Sequence, residues 1–311
     1  MKKIVLAALL MAGSAHAADL PFAKARIAWN KPQKPFHIIG NIYYVGMEGI
    51  AVFLIKTPAG LIVTDGALPE SAPFIEQHIK ELGFKLSDVK ILLNSHAHFD
   101  HSGGLAQLKK DTGARFYASA ADKPFLESGH ITFGPSSQID TIPIHVDHVV
   151  QDGETVRFGG VALTAHVTPG HTKGCTTWTY EMPPSVFADP RASYDHLPRM
   201  AGEEHPLTVM FFCSISVGGN PLVGNTAWPG IARAYKDSFA RLDKMRADVF
   251  LAPHGDQFGL EGKLARMKPG APNPFIDPGE LPRFMVQART DFDAELAKQM
   301  AAQGTKKPPE H

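Results

Sequence analysis

Cysteine is scarce in this chain: Cys175 and Cys213 are the only two among 311 residues. With no third thiol, a zinc site built from cysteine alone is excluded. Linkers are lacking too. No Gly/Ser-rich or charge-rich stretch interrupts the alternation of apolar runs and turns, and there is no internal repeat or low-complexity tract, so one domain is expected. Excess charge of one sign is also missing, with 31 basic residues against 31 acidic. Without a basic stripe, nucleic acid and anionic membrane are poor partners.

What is present is an ordinary globular composition, 44% hydrophobic and 20% charged, with ample material for a core. The first residues stand apart. Lys2 and Lys3 precede an apolar run at 4–12, too short to span a bilayer, and Ala15-His16-Ala17 supplies a small-x-small cleavage pattern. Residues 1–17 therefore read as a secretory signal peptide, and 18–311 as a single exported, periplasmic domain. Removing Lys2 and Lys3 leaves 29 basic against 31 acidic residues, a near balance. In an oxidising compartment Cys175 and Cys213 could pair, although two half-cystines do not establish geometry.

Strand-like runs are expected at 37–45, 50–56, 61–64, 89–93, 115–118, 155–158, 161–168, 176–180, 207–217 and 249–252. Helical patterns fall at 72–82, 105–111, 119–127 (with Ser119 as N-cap), 231–246 and from Pro278 onward. Between them lie a loop at 128–147, with exposed-looking Ile131, Phe133 and Ile139, and a Pro-rich loop at 181–206. Strands and helices interleave without strict β-α-β repetition, which places the chain no more finely than α/β or α+β.

Directly after the apolar run 89–93 comes "NSHAHFDHSGG", residues 94–104. It is either a metal site or a polar loop rich in histidine. Alternation puts His96 and His98 on one side of an extended segment, while Asp100 and His101 follow after the turn. Nitrogen and carboxylate donors in this mixture suit Zn²⁺. Four of them within six residues cannot easily all reach one tetrahedral ion, so two neighbouring ions are the more natural reading. His171 in "TPGHTKGCT" and His254 in "LAPHGD" share the strand-then-turn setting and become candidate ligands. The remaining histidines of the mature chain lack this context and read as structural or surface residues.

The H-x-H-x-D-H stretch, the later T-P-G-H-T-x-G and the final strand-end histidine resemble the metallo-β-lactamase superfamily across residues 37–257. That resemblance implies an αββα sandwich, two β-sheets flanked by helices, with the zinc site at one edge of both sheets. Thioesterases and lactonases of this superfamily usually carry a bridging aspartate at the end of the strand between the third and last histidine motifs. Here that strand ends in Cys213-Ser214-Ile215-Ser216, with no acid. The missing acid and the Asp100-His101 pair resemble β-lactamases of subclass three. The resemblance implies two Zn²⁺ ions, one on His96, His98 and His171, the other on Asp100, His101 and His254.

It also implies hydrolysis of the β-lactam amide by metal-activated water, with Asp100 orienting the nucleophile, and hence antibiotic resistance. Ser214 and Ser216 match the pair expected to bind the substrate carboxylate. Asp65 is expected to orient a ligand imidazole. Ile131 and Phe133 are expected in an apolar wall over the substrate, and a Cys175–Cys213 disulfide near the pocket. The partner is then a small-molecule β-lactam, and the protein a monomer. The alternative is a periplasmic hydrolase of lactones or thioesters.

Overall fold

In the computed structural model, residues 22–186 and 206–304 are described. The expected signal peptide and most of the 181–206 loop lie outside them. Strand and helix assignments follow the period of the apolar residues. In β4 (Gly60–Thr64) Ile62 points to one core, while Leu61 and Val63 point to another on the opposite face. A strand with both faces apolar must be covered on both sides.

The first sheet has seven strands in sequence order: β1 (Phe36–Ile39), β2 (Ile42–Tyr44), β3 (Phe53–Thr57), β4, β5 (Val89–Leu93), β6 (Arg115–Ser119) and β7 (His148–Val150). Its first four strands pair antiparallel and the rest parallel. The second sheet runs β12 (Val249–Leu251), β11 (Leu207–Phe211), β10 (Thr176–Met182), β9 (Val161–Val167), β8 (Thr155–Phe158). All its pairs are antiparallel except β11 with β12.

Between the sheets, Ile55, Ile62 and Leu93 of the first pack in one core with Leu163, Trp178 and Phe211 of the second. Helices cover the outer faces. On the first sheet, α2 (Ala72–Glu81) and α4 (Leu105–Thr112) set Ile75, Ile79, Leu105 and Leu108 against Leu54, Val63 and Leu92. On the second, α6 (Ile231–Leu242) and α8 (Glu280–Gly304) supply Tyr235, Phe239, Met285 and Phe292. Short helices α1 (Ala23–Trp29), α3 (Phe99–Ser102), α5 (Lys123–Ser128) and α7 (Leu260–Arg266) complete the layers, an αββα sandwich.

Four local expectations are corrected. The run 37–45 is a hairpin, because Gly40 takes the left-handed backbone (φ +53°) that turns β1 into β2. Regular pairing in 207–217 stops at Phe211, beyond which Cys213 is drawn to Cys175. The helix expected from residue 119 starts at Lys123, and Ser119 Oγ instead accepts the Asp122 N–H at 3.3 Å. Finally, Ile131 and Phe133 are buried, 5% and 4% exposed. Phe133 packs edge-on to Phe125 and Trp228, so these residues, which read as exposed, belong to the core beneath the loop. A loop this rich in apolar side chains folds them inward, since that removes their area from water.

Candidate metal centre

β4 and β5 run parallel, so their C-terminal ends reach the same rim of the sandwich. There Asp65, buried and in left-handed conformation (φ +61°), accepts the Ser95 N–H at 2.7 Å and the Asn94 Nδ2 at 3.1 Å. Asn94 in turn donates to the His96 carbonyl at 2.8 Å. Through these bonds Asp65 fastens the backbone of the segment that carries the histidines. Ser102 Oγ closes the turn by donating to the Ala97 and His98 carbonyls, each at 3.0 Å. Gly104 is needed because a Cβ there would lie 2.2 Å from the Gly66 carbonyl oxygen.

Loops from both sheets bring the six candidate ligands into two groups. His96, His98 and His171 form one, and Asp100, His101 and His254 the other; within each group the ligand atoms lie within 4.8 Å of one another. In the first, His98 Nδ1 and His171 Nε2 are 2.9 Å apart. In the second, His101 Nε2 lies 3.2 Å from His254 Nε2 and 3.3 Å from Asp100 Oδ2. The His96 and His101 rings, 4.3 Å apart, join the groups side by side.

Neighbouring acceptors fix which ring nitrogen faces inward. His171 Nδ1 donates to the Ser216 carbonyl at 2.8 Å and His254 Nδ1 to the Gly49 carbonyl at 3.1 Å, leaving each Nε2 lone pair for the centre. Ser95 Oγ engages His96 Nδ1 at 2.9 Å. His96 Nε2 is buried and has no hydrogen-bond partner, an expensive condition unless a cation takes the lone pair.

Electrostatics agree with that reading. Burial, then the neighbouring imidazoles, hold His96 and His98 well below the usual histidine range, and burial takes His171 down to about 4. All three are therefore neutral at pH 7, the form that ligates metal. Burial opposes ionisation of Asp100, but His101 and His254 outweigh it and hold the carboxyl well below its ordinary value. Three neutral imidazoles beside an imidazole–carboxylate set form a centre for metal cations.

Ser214 and Ser216 stand at the edge of the first group. Ser214 is buried and its Oγ accepts the Ser216 N–H at 3.3 Å, while Ser216 is exposed. Cys175 and Cys213 are joined in a disulfide with Cα atoms 5.8 Å apart, tying the His171 loop to the segment preceding Ser214. The Ser216 carbonyl also accepts the Tyr235 hydroxyl at 2.8 Å.

Three contributors escape sequence reasoning. Tyr235 looks like any apolar-face residue of a helix. Trp29 of α1 sets its ring 5.3 Å from that of His254, and its carbonyl accepts the Gly49 N–H at 3.1 Å. Asp122 reads as an acid at a helix start, yet it is fully buried and bonded to both loops of the first group.

Residues 45–188 match the family model described as the metallo-beta-lactamase superfamily. The crystal structure of BJP-1, a subclass B3 metallo-beta-lactamase of Bradyrhizobium japonicum, is 43% identical and covers 88% of this chain and 98% of its own, with a TM-score of 0.79. The chain belongs to the metallo-β-lactamase superfamily. Native FEZ-1 metallo-beta-lactamase from Legionella gormanii is 38% identical over 87% of this chain and 98% of its own, with a TM-score of 0.77. Similarity to curated sequences points another way. A hydroxyacylglutathione hydrolase of Methylobacterium nodulans is 31% identical over 121 residues, but the chain spans only 39% of that relative's length. One from Rhodopseudomonas palustris is 31% identical over 136 residues, 45% of its length. Solved superfamily neighbours thus cover 87–88% of this chain, whereas the family model stops at residue 188. No helix among the described residues is long and apolar enough to cross a membrane.

Proposed function

We propose that this superfamily member is a zinc-dependent β-lactamase of the B3 kind, acting in the periplasm as a monomer and conferring resistance to β-lactam antibiotics. One observation carries the reading: past β11 the chain presents Ser214 and Ser216 at the centre, and neither group draws an acid from that segment. Near full-length likeness to B3 structures, rather than partial likeness to thioesterases, supports it. The donor set suits two Zn²⁺ ions. Tetrahedral zinc at 2.0–2.1 Å separates its nitrogens by about 3.3 Å, so the His98–His171 pair would open by only a few tenths of an ångström.

Zinc, when bound, lowers the pKa of water and polarises a carbonyl oxygen. The chain does the rest. Ser216 Oγ and the Ser214 segment offer donors for the carboxylate that β-lactams carry, which holds the scissile amide over the centre. Asp100, held ionised, accepts a hydrogen bond from the attacking water and aims its lone pair. The Ser216 and Gly49 carbonyls keep His171 and His254 turned inward throughout. Trp29 supplies an apolar flank beside His254. A Lys-led apolar leader and the disulfide support export to an oxidising compartment.

The matched part of hydroxyacylglutathione hydrolases, 39–45% of their length, favours a second reading, thioester hydrolysis. Steady-state turnover of a penicillin, a cephalosporin and a carbapenem, before and after chelation, tests the first. Chelator-sensitive hydrolysis that returns with zinc supports it; no β-lactam turnover by zinc-loaded protein overturns it.

A further inference from the structure

Asp122 has no place in the chemistry above, yet it is more completely buried than any of the six ligands, at 0% exposure. A buried carboxylate is costly unless every oxygen is satisfied. Here Oδ2 accepts the Ala97 N–H at 3.0 Å and the Thr172 hydroxyl at 2.7 Å, and Oδ1 accepts the Gly174 N–H at 2.8 Å. Ala97 lies between His96 and His98. Thr172 follows His171 directly. One side chain on the β6–α5 connection therefore grips both loops of the tri-histidine group, from the first sheet and from the second. Gly174 is shaped to this contact, since a Cβ there would lie 2.8 Å from Asp122 Cγ and 2.6 Å from its backbone nitrogen. Asp122 touches no ligand atom itself.

We propose that Asp122 is a positioning residue: its carboxylate sets the separation between the His96/His98 loop and the His171 loop, and so sets metal affinity chiefly at the tri-histidine group. The inference rests on that group holding metal. An amide cannot replace the carboxylate, because whichever way Asn is turned its NH₂ faces a donor hydrogen. Groups bonded behind metal ligands change affinity by about 10–100-fold when altered.

The test is Zn²⁺ titration of the full chain against a chromophoric chelator, with each group isolated in turn. In a His254→Ala background, which leaves the tri-histidine group, adding Asp122→Asn is expected to weaken zinc by about 10–100-fold. In a His171→Ala background the same substitution is expected to change affinity of the Asp100/His101/His254 group by clearly less, about twofold, because Asp122 does not bond the His254 loop and reaches the loop of Asp100 and His101 only at Ala97. Cobalt(II) absorption of the tri-histidine group should shift in parallel. Equal loss at both groups, or a lower melting temperature with unchanged affinity and spectrum, would mean that Asp122 merely stabilises the fold and overturns the inference. Should Asp122→Asn not fold, Thr172→Val removes one donor from Oδ2 at nearly constant volume. It is expected to weaken the first group several-fold, and wild-type affinity there overturns the inference. Failure of His254→Ala alone to bind zinc would instead overturn the metal reading itself.

Discussion

Removing the Cys175–Cys213 bridge offers a perturbation whose size follows from the structure. The two residues are 38 apart in sequence, and both are fully buried. Closing a loop of that length in the unfolded chain corresponds, in the chain-entropy account, to about 4 kcal/mol at 25 °C. The native state loses little burial on reduction, since both thiols need only move apart to van der Waals contact and remain within packed surroundings. At about 2–4 °C per kcal/mol, the melting temperature should fall by about 8–16 °C. Burial keeps reductant out of the folded protein, so the comparison needs chain refolded under reductant, with both thiols counted, against chain refolded oxidised. Urea titration of the two gives the difference directly. A loss below about 1 kcal/mol with both thiols verified free would refute the reasoning, because the bridge would then not constrain the unfolded chain.

Other consequences can be checked more briefly. Tyr235→Phe deletes the hydroxyl that donates to the Ser216 carbonyl but keeps the buried ring, so denaturant titration should show a loss of about 1 kcal/mol. Tyr235→Ala, which empties the ring's place, should lose about 3–5 kcal/mol, and equal losses for the two would contradict this division. Burial, then the nearby Asp111 carboxyl, raises Glu76 from 4.5 to about 7. The folded state therefore retains a proton that the unfolded chain has released. That contribution is fully present below pH 4.5 and lost as pH rises through 7. Glu76→Gln should flatten the stability profile between about pH 5 and 8 and melt higher at pH 8; an unchanged slope would show that the carboxyl pair is not coupled.

All six ligand candidates were legible in the sequence because each ends a strand or follows one closely. A strand running into a turn is visible locally, as at 89–93 before His96 or 249–251 before His254. Burial of the candidates' surroundings was not legible. Phe133 reads as exposed in a polar loop, and only its packing on Phe125 and Trp228 shows otherwise. Partner identity was likewise hidden for Asp65, whose acceptor role was expected but whose donors prove to be Ser95 and Asn94. Asp122 bonds residues 25 and 50 positions away, and Tyr235 reaches Ser216 across 19. Such contacts depend on how two sheets close on each other, which no local pattern records. The same closure decides that β1 and β2 are a hairpin, since Gly40 is one of many glycines until its backbone angle is known.

The most direct test of the proposed function is competition on one zinc-loaded preparation. Initial rates should be measured for a penicillin or carbapenem and for a hydroxyacylglutathione thioester, with and without chelator. With Ser214 and Ser216 in place of an acid, chelator-sensitive β-lactam hydrolysis and negligible thioester hydrolysis are expected. Efficient thioester turnover without any β-lactam turnover would contradict the assignment and return the chain to the thioesterase branch of its superfamily.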